Sequence, residues 1–154
     1  MAGALAALAV GGCSVGGQDD ASERSRAPDP VPKPKPGEPR EAKSIRGWSA
    51  ALNAGKFEEA ASYFAPNAVV EQVAEVRLRD RAAAIAFNKS LPCRADVTDV
   101  DDEGRTIIAA FRLRDGPRGR CEGGRARVRF RFKDGKFSEW RQLAEPATPP
   151  GQVA

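Results

Sequence analysis

Between Arg125 and Leu143 the chain alternates strictly. Ala126, Val128, Phe130 and Phe132 interleave with Arg125, Arg127, Arg129, Arg131 and Lys133, and a second apolar-rich run follows from Lys136 to Leu143. A period of two places the apolar set on one face of a strand and the basic set on the other. Asp134-Gly135 between the runs supplies the positive φ angles of a tight reversal, so the stretch predicts a long amphipathic β-hairpin. One face must be covered by something apolar, and the other is free to meet water or an anionic surface. That requirement constrains the rest of the chain.

The chain has 154 residues, and its proline-rich front third leaves room for one domain with one core. It carries no histidine, which excludes imidazole bases, Ser-His and Cys-His nucleophiles and His-ligated metal sites. No cofactor is expected. The formal charge of +4 biases the surface toward anionic partners. Nucleic acid is not expected, because no aromatic is interleaved on the basic face for base stacking. Asp99 to Gly104 has alternating oxygens like a calcium loop, but Ala110 stands where the closing glutamate would be, so the segment reads as a polar turn.

From Ser14 to Arg40 large apolar side chains are nearly absent, and Pro30, Pro32, Pro34 and Pro36 favour extended polyproline II. This reads as a tether over 14–40, with the folded domain over 41–145 and a frayed tail over 146–154. Within the domain, Ile45, Trp48 and Leu52 recur at helical spacing up to Asn53-Ala54-Gly55. Phe57, Ala60, Ala61 and Phe64 mark a second helix stopped by Pro66, and Asp80 is a suitable N-cap for a third that ends near Leu91. Short extended pieces occupy 68–72 and 76–78. After Cys93 the period changes to strands at 95–100 and 106–113, then a Gly-rich loop over 116–124, then the hairpin.

Three helices followed by a curved antiparallel sheet that wraps them is an α+β order. In this order the chain resembles the nuclear transport factor 2-like superfamily, also called SnoaL-like domains. The resemblance is carried by Trp48 to Ala60, by Phe64-Ala65-Pro66-Asn67-Ala68-Val69, by Ala84 to Phe87 and by Asp134 to Trp140. It implies a cone with an open end that often holds a pocket. Trp48, Tyr63, Phe64, Phe87, Phe111 and Trp140 are the aromatics expected to line it. The family's enzymes place a carboxylate, or a His-Asp pair, beside a Tyr. With histidine missing, the leading expectation is a non-catalytic cone that binds a small apolar ligand or an envelope protein. The alternative is an isomerase, cyclase or dehydratase that pairs Tyr63 with Asp96, Asp99 or Glu139.

The cysteines fall into two classes. Cys13 closes an apolar run, as a secretory segment and its processing site do. Val10-Gly11-Gly12-Cys13 resembles the lipobox of bacterial lipoproteins, which implies lipidation of Cys13 and residence on the extracytoplasmic side of the membrane. The run is much shorter than the roughly 20 residues that span a bilayer. In an oxidising compartment Cys93 and Cys121 are then left to form a bridge, the alternative being two buried thiols. Arg125, Arg127, Arg129 and Arg131 would present a basic face to anionic headgroups or wall polymers, and a homodimer stays open.

Overall fold

A computed structural model describes residues 35–144. The lipobox-like Cys13, most of the expected tether and the tail from 145 lie outside the described residues. Three helices, α1 (Ala42–Asn53), α2 (Phe57–Ser62) and α3 (Arg81–Ser90), accompany six strands. These are β1 (Phe64–Glu71), β2 (Glu75–Leu78), β3 (Arg94–Asp102), β4 (Ile107–Arg114), β5 (Arg125–Lys133) and β6 (Lys136–Leu143). The strands form one sheet in the order β2-β1-β6-β5-β4-β3. It is antiparallel except where β1 runs parallel to β6.

The opening hairpin is β5–β6. Asp134 and Gly135 take φ of 52° and 74°, and Phe130 faces Trp140 across the pair. Val128 and Phe130 are buried while Arg125 and Arg131 are exposed, as the alternation requires. α1 buries Ala42, Ile45, Trp48, Ala51 and Leu52 from one stripe and ends where Gly55 takes φ of 70°. Asp80 caps α3 through its side chain, which accepts from the Ala83 amide at 2.8 Å.

The second helix is shorter than its apolar spacing suggests. It stops at Ser62, and Phe64 already belongs to β1. Pro66 therefore lies inside a strand, where it has no N–H to donate. The β1–β6 register shifts between Phe64 and Val69, and Asn67 takes a positive φ of 58°. The irregularity accommodates the proline, because the missing ladder bond falls where the ladder is already broken.

Contacts to the domain also reach back ahead of Glu41, to Lys35. Lys35 Nζ donates to the Thr98 carbonyl at 2.9 Å. Glu38 pairs with Arg46 of α1, and their side chains are only 5% and 3% exposed. Arg46 also donates to the Val97 carbonyl at 3.1 Å, so one buried guanidinium joins this segment, α1 and β3.

The core centres on Trp48. Its indole makes edge contacts with Phe64, Phe111, Phe130, Phe137 and Trp140, with centroids 6.0 to 6.4 Å away. Its N–H donates to Asn88 Oδ1 at 2.8 Å, and Asn88 donates to the Ala84 carbonyl of α3 at 2.8 Å.

Candidate functional site

The concave face closes around Trp48 at one end and opens at the other. There it leaves a cavity of about 270 Å³, room for roughly nine waters at ~30 Å³ each. α1 contributes Trp48 and Leu52, and the turn into β3 contributes Leu91, Pro92 and Cys93. Ala95 of β3, Phe111 and Leu113 of β4, and Ala126 and Val128 of β5 form the sheet wall. Trp140 and Gln142 of β6 complete it, together with Gln72 just past β1. The alternation explains the strand members. Trp140 and Gln142 share one face of β6, while Arg141 between them points to the opposite face and pairs with Glu71 and Glu75.

The wall is braced from α1. Asn53 grips Ala95 from both sides, accepting from its amide at 2.9 Å and donating to its carbonyl at 3.1 Å. Ser49 donates to the same carbonyl. Polar groups around the cavity are few. Gln72 and Gln142 are exposed residues, and Trp140 is 3% exposed with no hydrogen-bond partner for its indole N–H. None of the described lining residues is Asp, Glu, Lys or Arg. No cluster of three His, Cys, Asp or Glu able to hold a metal occurs among the described residues.

Of the six aromatics expected around the cavity, Trp48, Phe111 and Trp140 line it. Phe64 and Phe87 pack against each other at 5.7 Å, and Phe87 supports Trp140 from behind at 5.2 Å. Tyr63 stacks on Phe137 at 6.1 Å, with its hydroxyl against Gly47 of α1. Burial, and then the charge of Glu59, raise the Tyr63 pKa above that of a free phenol.

The three carboxylates considered as its partners are engaged elsewhere. Arg114 donates to Asp96 at 2.8 Å, Asp99 meets Lys35 at 3.2 Å, and Glu139 lies among Arg129, Arg131 and Arg141 on the outer face. The expected Tyr63–carboxylate pair is therefore not assembled in this cavity. The same glutamate takes up Arg129 and Arg131 of the basic row, so the outer face is a partly compensated charge network. Cys93 and Cys121 are joined, with Cα atoms 5.8 Å apart.

Gly47 keeps Tyr63 in place. A Cβ built there would lie 2.3 Å from the phenol oxygen, and the ring is held by its stack on Phe137. Gly47→Ala gains about 1 kcal/mol of helix propensity but meets an overpacking cost of about 1–3 kcal/mol. The expected result is a lower urea midpoint, restored by adding Tyr63→Leu. A Gly47→Ala protein as stable as wild type would show that the ring yields freely.

Sequence reasoning missed Gln72, Gln142 and the Leu91–Cys93 wall. Gln142 was accessible in principle, since it continues the row of Trp140 at a spacing of two. Gln72 continues the row of Val70 in the same way. The wall carried no periodic signal, because it lies in a connection.

A family model described as the SnoaL-like domain matches residues 45–140. No curated protein sequence matches the chain. Among solved structures, the chain is similar to a Kribbella flavida protein that carries the provisional name ketosteroid isomerase. That match has 22% identity, covers 72% of this chain and 83% of that one, and has a TM-score of 0.54. A Sinorhizobium meliloti protein provisionally named a polyketide cyclase matches at 18% identity, over 66% of this chain and 94% of its own, with a TM-score of 0.54. A nuclear transport factor 2-like protein of unknown function from Cytophaga hutchinsonii matches at 11% identity, over 73% and 96%, with a TM-score of 0.56. At such identities the likeness shows the fold, the helix-lined cone with a curved six-stranded sheet. The expectation of a non-catalytic cone is corrected here: a SnoaL-like match with neighbours named cyclase and isomerase fits the enzyme alternative better.

Proposed function

Because the chain belongs to the SnoaL-like domain family, we propose that it is an enzyme of the cyclase or isomerase type acting on a small, apolar, carbonyl-bearing substrate. The observation that carries this reading is the composition of the cavity. Apolar walls surround the space, and the exposed Gln72 and Gln142 amides are the side-chain donors that the described lining offers a ligand. Such a site can hold a flexible substrate in a reactive fold, which removes entropy from an intramolecular step. Its donors can stabilise the negative charge that develops on a carbonyl oxygen as an enolate forms. With no titratable side chain in the described lining, the proton passes to solvent at the open end. Cyclisation suits this division of labour best, since positioning supplies most of what it needs.

Enolisation is common to these reactions and has a direct readout. In deuterated buffer, the α-methyl protons of 2-acetylnaphthalene should exchange faster with the protein than without it. Gln142→Leu and Gln72→Leu should each lower the excess rate by about tenfold or more, as loss of one oxyanion donor does. Exchange no faster than in buffer would remove this reading.

The address rests on residues 1–13 alone. We infer from them a lipid anchor at Cys13 that holds the domain on the extracytoplasmic side, with the outer arginines near anionic headgroups. Cys13→Ala should move the protein from the membrane to the soluble fraction; unchanged fractionation rejects the anchor.

A further inference from the structure

The wall segment Leu91-Pro92-Cys93 belongs to neither α3 nor β3, and Pro92 has no N–H with which to join a ladder. What holds it is the loop between β4 and β5. Cys121 of that loop is bonded to Cys93. Gly116 lies so close that a Cβ there would be 2.2 Å from the Pro92 carbonyl oxygen and 2.8 Å from the Cys93 Cα. Gly119 approaches the Pro92 ring, its built Cβ falling 3.3 Å away.

The loop is internally braced. Asp115 Oδ1 accepts from the Cys121 amide at 2.6 Å and the Glu122 amide at 3.0 Å. At its far end Leu113, itself on the cavity, donates its amide to the Gly124 carbonyl at 2.8 Å. The loop therefore grips the cavity on two sides, by Cys93 and by Leu113. Only the bridge makes the first grip covalent.

We infer that the Cys93–Cys121 bridge is a positioning element of the ligand site: it sets the placement of the Leu91–Cys93 wall and so preorganises the cavity for its substrate. This rests on the cavity being the substrate site. Cutting the bridge releases the wall, and a ligand must then reorder it on binding, which weakens affinity without removing any direct contact. Cys93 and Cys121 are positioning residues in this account.

Both tryptophans of the chain, Trp48 and Trp140, line the cavity, so their fluorescence reports occupancy. 2-Acetylnaphthalene is titrated into the full chain purified without reductant, into Cys93→Ala/Cys121→Ala, and into wild type treated with dithiothreitol. That reagent supplies two electrons and two protons to the bridge and is itself oxidised to a cyclic disulfide. The expected result is a Kd about tenfold higher in both bridge-free forms, measured where circular dichroism shows them folded. Gly116→Ala keeps the bridge but displaces Pro92, and it should also raise Kd. Glu38→Gln, which lowers stability away from the cavity, should leave Kd unchanged. This last contrast separates positioning from a general loss of stability.

Equal Kd in bridged and bridge-free protein overturns the inference and leaves the site standing. If the bridge-free forms do not fold, an unchanged Kd in Gly116→Ala overturns it. Absence of binding by the oxidised wild type overturns the site itself, and the inference with it.

Discussion

Replacing Trp48 by alanine is expected to lower the free energy of unfolding by about 3–5 kcal/mol, the range for deleting a buried Trp or Phe. The upper part of that range is expected here. Trp48 is 2% exposed and meets five other aromatic rings, so no single neighbour can move in without leaving another. The substitution also strands Asn88, whose Oδ1 loses its indole donor while the residue remains fully buried. Against a total stability of roughly 5–15 kcal/mol for domains in general, the loss is a large fraction of the whole, and the midpoint of thermal unfolding should fall by more than about 10 °C. Trp48→Phe separates the two losses. It keeps most of the volume and should cost about 1–3 kcal/mol for the orphaned amide oxygen. Urea unfolding followed by circular dichroism measures both. A Trp48→Ala loss below about 1 kcal/mol would mean the aromatic cluster collapses easily, contrary to close packing.

Glu38→Gln is the second large effect, and it is pH-dependent. Removing one partner of a buried ion pair costs about 3–5 kcal/mol because the other charge is left uncompensated. Glutamine can still accept a hydrogen bond from Arg46, so a cost of about 3 kcal/mol is expected. Burial pushes the Glu38 carboxyl up. The Arg46 hydrogen bond, the Lys35 amide and the charges of Arg46 and Lys35 outweigh it and hold the carboxyl below the ordinary value of 4.5. A carboxyl depressed in the folded state contributes stability that is fully present above its unfolded value and lost as the pH falls through the folded one. The difference between wild type and Glu38→Gln should therefore be constant from neutral pH down to about pH 5 and shrink below 4.5. Urea titrations at pH 7, 5, 4 and 3 give the curve. A gap that stays constant to pH 3 would falsify the assignment of the effect to this carboxylate.

The two effects differ in how legible they were. Trp48 could be read from its place in the Ile45, Trp48, Leu52 stripe, because a large apolar group at helical spacing has one way to be satisfied. Glu38 could not. It sits in a proline-rich, charged stretch whose composition signals a tether, and only the three-dimensional approach of Arg46 from α1 turns it into a buried partner. Asn88 and Ser49 were invisible for the same reason, since a polar residue is buried only when a partner arrives from elsewhere in the chain. Phe64 stands at helical spacing from Phe57, Ala60 and Ala61, yet it belongs to β1. The competing pull was the β1–β6 pairing, which no local pattern reports.

The candidate site divides in the same way. Trp48, Phe111 and Trp140 lie on stripes whose direction follows from periodicity, so their presence on the concave face was readable. Tyr63 has similar chemistry and sits one residue from β1, yet it turns away to Gly47 and Phe137. The absence of histidine, by contrast, ruled out whole classes of chemistry from composition alone.

What the sequence determined by itself was local and periodic: the hairpin with its Asp134-Gly135 reversal, the cap at Asp80, the helical stripe of α1 and the two faces of β5. Those follow from dihedral preferences and from the separation of apolar and charged side chains, and both act between near neighbours. Only the tertiary structure decided that β1 joins β6 in parallel, that Glu38 is buried, that Gln72 and Gln142 meet one cavity, and that the β4–β5 loop holds its wall through Cys93 and Cys121. Each of these is a contact between distant segments, where many pairings satisfy the same local pattern and the packing of the whole core selects one.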